Sequence, residues 1–299
     1  MSSAQRLESR AKDYALAAFC LATALLIPFG EQPGLFLTGW AAFALSGFFV
    51  WRTADPSIQR KMAVLLGCVA LLAWSPIETS TADIKFVTLG LPFLAVIVLP
   101  WLILRRTDPG TIVYQWWPRH ANWLERKRGP SGRNGWVVNW GVARALGLEI
   151  GYVLLSIPLA WAAFRLYFGV LSPEVPFNWS LPETPQSDPL LRLFVGINAV
   201  GIWDELFFVN TCFAVLRTIF PFWTANLAQS VVYTAVLYDM AFTGWGPLFV
   251  FGLALTQGIM FERAKTLIYV IVVHLIVDYF LFQEIVDAYY PDFSVWWHP

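Results

Sequence analysis

The stretch LLRLFVGINAVGIWDELFFVNTCFAVLRTIF, residues 190–220, decides the class of this protein. It is long and apolar enough to cross a bilayer, which takes about 20 apolar residues in a helix. Asp204 and Glu205 stand side by side near its middle. An ionisable residue at the centre of a membrane costs roughly 2.5–3.5 kcal/mol on insertion scales, so such residues face a cavity or a partner and indicate a functional site.

The composition of the whole chain is typical of a membrane protein. Of its 299 residues, 58% are hydrophobic and 13% are charged, whereas soluble domains contain about 25% charged residues. Recurrent apolar runs predict an all-α, polytopic transmembrane bundle of about nine spans, with eight as the alternative count. The sixth span is long, and we expect it to be tilted or broken near Gly196 and Gly201. The predicted spans are 14–30, 34–51, 62–76, 86–104, 145–170, 191–220, 223–242, 246–262 and 266–283.

The distribution of Lys and Arg predicts the orientation, because these residues accumulate in cytoplasmic loops. In the nine-span arrangement, all of the 20 Lys and Arg residues except Lys85, Arg165 and Arg192 fall on one side. The N-terminus is therefore expected in the cytoplasm, with the loop 171–189 and the C-terminal tail outside. We expect an integral protein of a bacterial plasma membrane, and we find no cleavable signal peptide.

Two regions are predicted. Residues 1–144 hold four spans and end in a basic, Trp-rich cytoplasmic loop, 105–144; residues 145–299 hold five spans. The mixture of cations and Trp in the loop predicts an amphipathic helix that lies against anionic lipid headgroups. Nucleic acid is not expected as a partner for a loop beside a membrane.

Further ionisable residues lie in the later spans. Tyr238 and Asp239 are near the outer end of the seventh span, and the ninth span contains His274 and Asp278. Three helices thus carry five acidic or histidine residues, which are Asp204, Glu205, Asp239, His274 and Asp278. Their summed cost, if unpaired, would be roughly 12–17 kcal/mol, comparable with the whole stability of a protein. We therefore expect them to share a polar cavity.

The spacing of these residues suits acid–base chemistry. His274 and Asp278 are four residues apart and lie on the same helix face, where the carboxylate can fix the imidazole tautomer. Asp204 and Glu205 are adjacent and about 100° apart on a helix, so one should face the cavity and the other a partner. Two neighbouring carboxylates in a low dielectric resist ionising together, which favours general acid–base catalysis.

Other polar residues in the spans are attributed to structure. Glu149 is expected to reach the cytoplasmic edge of the membrane with its flexible side chain. Amide side chains within membrane helices commonly form hydrogen bonds between helices. We assign this role to Asn198, Asn226, Gln229 and Gln257.

Residues 190–283 resemble the CAAX-protease and bacteriocin-processing (CPBP, or Abi) intramembrane peptidases, which include the type II CAAX prenyl proteases. Their motifs are EExxxR on one span, FxxxH on a later span and HxxxN/D on the last. Here DELFF, residues 204–208, stands at the start of the first motif, and the stretch 244–278 ends with His274 and Asp278 at the HxxxD positions. The first Glu of the motif is replaced by an Asp.

This chain departs from the motifs at two further positions. Val209 stands at the position of the Arg in the first motif, and a valine cannot anchor a carboxylate. The best alignment of the second motif places Asp239 at its His, with Tyr238 beside it. These two residues are possible additional members of the site.

The resemblance implies a role for each matched residue. Asp204 or Glu205 would activate water, His274 would act as a general acid or contact the oxyanion, and Asp278 would orient His274. A zinc site would have one His and several carboxylates, a less usual set than ligands rich in His. We therefore expect a metal-free mechanism without a cofactor.

The first functional prediction is an intramembrane endopeptidase that cleaves a peptide bond within or near the bilayer by a glutamate-activated water. Its substrate would be a membrane-embedded or lipid-linked peptide. The alternative is a catalytically inactive relative that serves as a scaffold or binding subunit of a membrane protein complex. A proton-coupled transporter is a third reading, but such proteins often show interrupted spans in both halves, and here the polar residues are confined to one half.

The orientation can be tested by cysteine labelling. We expect Ser3→Cys to react with a membrane-impermeant thiol reagent from the cytoplasmic side only, and Ser187→Cys from the external side only. The native Cys20, Cys68 and Cys212 all fall within predicted spans and provide the unlabelled control. Labelling of both introduced cysteines from the same side would contradict the nine-span arrangement.

Overall fold

A computed structural model describes residues 3–75, 83–117, 124–128, 134–138, 140–171, 181–238 and 244–293. Within these ranges, nine long helices lie at the nine predicted spans, and six helical segments are long and apolar enough to cross a membrane unaided. The fold is a polytopic, membrane-embedded helical bundle, as predicted. The long helices are α1 (Ser3–Leu26), α2 (Pro33–Arg52), α3 (Pro56–Ala73), α4 (Asp83–Thr107), α5 (Trp140–Leu166), α6 (Ser187–Asp204), α8 (Phe222–Leu237), α9 (Gly246–Ala264) and α10 (Leu267–Tyr289).

The sixth span is continuous but changes its helical form. After α6, residues Glu205–Phe213 form a π-helix, and the four-residue helix α7 (Ala214–Arg217) completes the span. The expected break near Gly196 and Gly201 is therefore wrong, because the irregularity begins at Glu205. π-Helical turns are rare and occur frequently at functional sites. This one starts directly after the first acidic residue of the pair.

Helix α8 is the central helix of the bundle. It packs against α1, α9 and the π-helical segment. Its 16 residues span only about 24 Å at 1.5 Å per residue, less than the roughly 30 Å of a hydrocarbon core. Most of its side chains are buried. Protein therefore surrounds most of this helix, whereas Trp223 and Leu227 are exposed.

The basic loop contains a hairpin instead of the predicted amphipathic helix. Strands β1 (Leu124–Arg128) and β2 (Asn134–Val138) pair antiparallel. The intervening sequence GPSGR, residues 129–133, is rich in residues that end helices and favour turns. The helix prediction is wrong for residues 124–128 and 134–138, while the fold as a whole is the predicted helical bundle.

The basic helix ends from both halves of the chain meet on one side of the bundle. Asp108, which follows α4, forms an ion pair with Arg60 of α3 at 3.2 Å. Partial burial works against its ionisation, but hydrogen bonds from Ser57 and Arg60 hold the pKa of Asp108 below its ordinary value. At the start of α10, the backbone N–H of Leu267 donates to the carbonyl of Gln115 at 2.8 Å. These contacts agree with the predicted grouping of the loops.

Hydrogen-bonded amides join α8 to α9, as expected of Asn226 and Gln229. Gln229 Nε2 donates to Asn226 Oδ1 at 2.9 Å and to the carbonyl of Ala254 at 2.8 Å, and Asn226 Nδ2 donates to the carbonyl of Leu255 at 3.0 Å. The helices approach closely at Gly258, where a Cβ atom would lie 1.8 Å from Asn226 Oδ1.

Two other polar residues differ from expectation. Asn198 donates to the carbonyl of Phe194 in its own helix at 2.7 Å, so this bond does not join helices. Glu149 is 6% exposed and hydrogen bonds with Tyr269 of α10. Its side chain is therefore buried against α10 and is not the freely extended side chain that was expected.

We expect Gly258→Ala to destabilise the bundle by about 1–3 kcal/mol, the usual cost of overpacking. Gly252→Ala on the same helix is the matched control, because nothing lies within 4 Å of a Cβ atom there. Thermal unfolding in detergent should show a lower Tm for Gly258→Ala and an equal or higher Tm for Gly252→Ala. Equal Tm values for Gly258→Ala and the wild type would contradict the proposed close packing.

Candidate active site

Three of the predicted site residues surround the imidazole of a fourth, His274. His274 Nδ1 lies 2.8 Å from Glu205 Oε1. On the other side of the ring, Nε2 lies 3.4 Å from Asp204 Oδ2 and 3.5 Å from Asp278 Oδ1. All four residues are at most 4% exposed. The structure thus brings together side chains from α6, the π-helical segment and α10.

Local helix geometry accounts for this arrangement. His274 and Asp278 lie one turn apart on α10, as their spacing predicts. The helices can approach because Gly201 lies one turn before the acidic pair. A Cβ atom at Gly201 would be 2.0 Å from Asp278 Oδ2 and 2.7 Å from His274 Cδ2.

The two adjacent carboxylates have different surroundings. Asp204, with His274 and Asp278, lines a cavity. Glu205 is fully buried, and its Oε1 accepts hydrogen bonds from Tyr233 Oη at 3.1 Å and Gln257 Nε2 at 2.8 Å. The sequence left open which acid faces the cavity. The geometry places Asp204 there and Glu205 behind the imidazole.

The cavity has a volume of about 300 Å³ and mostly apolar walls from α5, α6, α9 and α10. It extends from His274 to Leu281 along α10 and from Thr256 to Phe249 along α9. Each of these intervals is seven residues, or about 10 Å of helix. The carboxylates therefore lie at a polar site beside an otherwise apolar space.

Several carboxylate oxygens have no donor among the described residues. They are Asp204 Oδ1, Glu205 Oε2 and Asp278 Oδ2, all buried. An unmet buried acceptor costs about 1–3 kcal/mol. Two of these three residues, Asp204 and Asp278, also line the cavity.

Sequence reasoning missed two residues of the site. Tyr233 is fully buried, and its hydroxyl lies 2.8 Å from His274 Nδ1. No spacing marked it, because aromatic residues make up 17% of the chain. Gln257 was predicted to form hydrogen bonds between helices, which it does, but one of its acceptors is the buried carboxylate Glu205.

The remaining predicted positions are not part of this cluster as described. The ring of Tyr238 lies at the end of α8 and contacts Phe29, with 5.6 Å between centroids. Asp239 lies outside the described residues. Val209, at the Arg position of the first motif, is fully buried in the apolar core.

The imidazole of His274 has carboxylates on both sides. Within the described ranges, no group of three or more His, Cys, Asp and Glu side chains is arranged to hold a metal ion. His274 directs Nδ1 towards Glu205 and Nε2 towards Asp204 and Asp278. Both of its nitrogen atoms are thus directed to carboxylates.

Residues 186–280 match the family model of the type II CAAX prenyl endopeptidases, described as Rce1-like. The match confirms the resemblance to CPBP peptidases that the motifs indicated. It covers 95 of the 299 residues, from the start of α6 into α10. The matched range includes Asp204, Glu205, His274 and Asp278. Comparisons with curated proteins and with solved structures found no match.

We expect Gly201→Ala to destabilise the protein by displacing Asp278, whereas Gly151→Ala, with nothing within 4 Å of its Cβ atom, should not. If the clash is the cause, shortening Asp278 in the double variant Gly201→Ala/Asp278→Ala should restore part of the lost Tm. Such coupling is what a double-mutant cycle measures for residues in contact. Strictly additive losses would contradict the close approach.

Proposed function

Because residues 186–280 are similar to type II CAAX prenyl endopeptidases, we propose that this protein is an intramembrane endopeptidase. It hydrolyses a peptide bond within or near the bilayer. The observation that supports this most is the position of Asp204, His274 and Asp278 on the wall of one cavity, with Glu205 hydrogen bonded behind the imidazole.

Asp204 is the proposed base, in place of the glutamate that the resemblance first suggested. A water molecule in the cavity beside Asp204 gives up a proton to this carboxylate as its oxygen attacks the carbonyl carbon of the substrate. The proton then passes to the nitrogen of the leaving amine when the C–N bond breaks. Glu205 is not proposed as the base, because it does not line the cavity and its Oε1 accepts hydrogen bonds from Tyr233, Gln257 and His274.

His274 acts as an electrophilic partner in this proposal. When both ring nitrogens carry hydrogens, Nδ1–H donates to Glu205, and Nε2–H is directed towards Asp204 and Asp278, which line the cavity with His274. There it can donate to the oxyanion that develops on the substrate carbonyl, or to the leaving nitrogen. Asp278, one turn away, orients Nε2. The mechanism needs no metal ion and no other cofactor.

The substrate is proposed to be a membrane-embedded or lipid-linked peptide. The apolar walls of the cavity support an apolar occupant. The polar side chains of Asp204, His274 and Asp278 on the same wall support a polar group, such as a peptide bond, at one end of this occupant. We also propose that the basic loop 105–144 contacts anionic headgroups, with the N-terminus in the cytoplasm of a bacterium and the C-terminus outside.

A second candidate function is a scaffold or binding subunit that has lost hydrolysis. One observation favours it: the position of the motif arginine is occupied by Val209, which is packed in the apolar core. A membrane complex would then use the helical surface of this protein, and the polar cluster would be retained as a structural element.

Substitutions at the site separate the two functions. We expect Asp204→Asn and His274→Ala each to lower peptide hydrolysis in proteoliposomes by at least about 10²-fold, the lower range for acid–base catalysis. Glu205→Gln should also lower it strongly, and Asp278→Asn less, because Asp278 acts through His274. Products are measured by mass spectrometry of a library of membrane peptides, with Asp188→Asn as the acidic control, since Asp188 is exposed at the start of α6.

Hydrolysis that survives both Asp204→Asn and His274→Ala would contradict the mechanism. Absence of any product with the wild type, together with partners that copurify in fixed ratio and stay bound to Asp204→Asn, would support the scaffold instead.

A further inference from the structure

A hydrogen-bonded chain runs from α5 to the carboxylate behind the imidazole. Tyr152 Oη donates to Gln257 Oε1 at 2.9 Å, a shorter distance than the 3.1 Å to Thr256 Oγ1. Gln257 Nε2 in turn donates to Glu205 Oε1 at 2.8 Å. Tyr152 belongs to a helix outside residues 186–280, the range similar to known peptidases.

The orientation of the Gln257 amide is determined by its neighbours. Both hydrogens of Nε2 are used, one for Glu205 Oε1 and the other for the carbonyl of Val270, each at 2.8 Å. A flipped amide would place its oxygen against these two acceptors. Tyr152 supplies the donor that the amide oxygen needs in the observed orientation. The two acceptors therefore select the amide orientation, and the tyrosine hydroxyl stabilises it by donating to the amide oxygen.

This arrangement supplies a donor that the first motif no longer provides. Val209 is apolar and fully buried, so the motif position offers no hydrogen bond to a carboxylate. The described donors to Glu205 Oε1 are Tyr233, His274 and Gln257. Of these, only Gln257 contacts no atom of the imidazole in the described set of hydrogen bonds, and so it holds Glu205 independently of the ring.

We propose that Gln257 and Tyr152 are positioning residues, and that they hold Glu205 against His274 Nδ1 in place of the motif arginine. They act through Glu205. A carboxylate with a single orientation keeps the imidazole in one orientation, with Nε2 towards Asp204 and Asp278. Tyr152 also lines the cavity, so an occupant contacts the same side chain that fixes the amide. The catalytic consequence rests on the proposed function, whereas the positioning itself does not.

The positioning can be measured without a substrate. The chain has three histidines, and the variant His120→Gln/His298→Gln leaves His274 as the only one. In the full-length protein with ¹⁵N-labelled imidazole, we expect one pair of nitrogen resonances, with Nδ1 hydrogen bonded. Gln257→Met keeps the length of the side chain but removes its donors, and Tyr152→Phe removes only one hydroxyl. Each should shift and broaden the Nδ1 resonance at constant pH.

The controls and kinetics complete the test. Tyr14→Phe, at an exposed tyrosine of α1, should leave both the spectrum and the activity unchanged. If the protein hydrolyses peptides, Gln257→Met and Tyr152→Phe should lower kcat by about 10-fold with little change in KM, the usual effect of losing a residue that orients an active group. Tyr152→Phe is the smaller change and keeps the test valid if Gln257→Met unfolds.

The outcomes distinguish this proposal from the proposed function. A changed Nδ1 resonance in both variants, with no hydrolysis by the wild type, would support the positioning role and contradict the enzyme. An unchanged resonance in folded Gln257→Met and Tyr152→Phe would overturn the positioning role, whether or not hydrolysis is found.

Discussion

The contact between His274 Nδ1 and Glu205 Oε1, at 2.8 Å, is the interaction on which the rest of the site depends. A fully buried carboxylate in an apolar bundle is costly unless hydrogen bonds satisfy it. Tyr233 and Gln257 donate to the same oxygen, and Gly201 allows α10 to approach closely enough for the contact to form. The need to satisfy one buried acid thus determines the packing of several helices.

The general fold and the four central residues could be predicted from the sequence because each leaves a local pattern. Span-length apolar runs predicted the helices, and the four-residue spacing placed His274 and Asp278 on one face. The cost of isolated charges in a membrane predicted that the acids of span six would join them. These inferences need only helix periodicity and the free energy of burial.

The remaining features depend on tertiary structure. The sequence left the cavity-facing acid open, because adjacent residues can be assigned to faces only when the rotation of the helix is known. The π-helix begins at Glu205, and no residue pattern in the sequence indicates this change from α-helix to π-helix. Tyr233 and Gln257 belong to spans rich in ordinary aromatic and amide residues. The prediction of a helix in the basic loop was wrong because it relied on the content of cations and Trp. It gave too little weight to the turn-forming GPSGR segment.

Replacement of the motif arginine changes the electrostatics of the site as well as its contacts. A guanidinium would carry a permanent positive charge and a rigid set of donors, whereas Gln257 brings only a neutral amide. Among the described hydrogen-bond partners of Glu205, His274 is the one that can carry a positive charge, since Tyr233 and Gln257 are neutral. Charge and orientation are then linked in His274. The hydrogen bonds that hold Glu205 also determine how strongly His274 is held.

The N-terminal region is structurally joined to this site. The indole N–H of Trp203, next to Asp204, donates to the carbonyl of Phe93 on α4 at 2.6 Å, and the two rings stack with centroids 3.7 Å apart. This contact fixes α6 immediately before the acidic pair. Helix α5, on the other side, supplies one wall of the cavity and Tyr152. Residues 186–280 therefore contain the polar cluster, while α4 packs against Trp203 beside it and α5 forms part of the cavity wall.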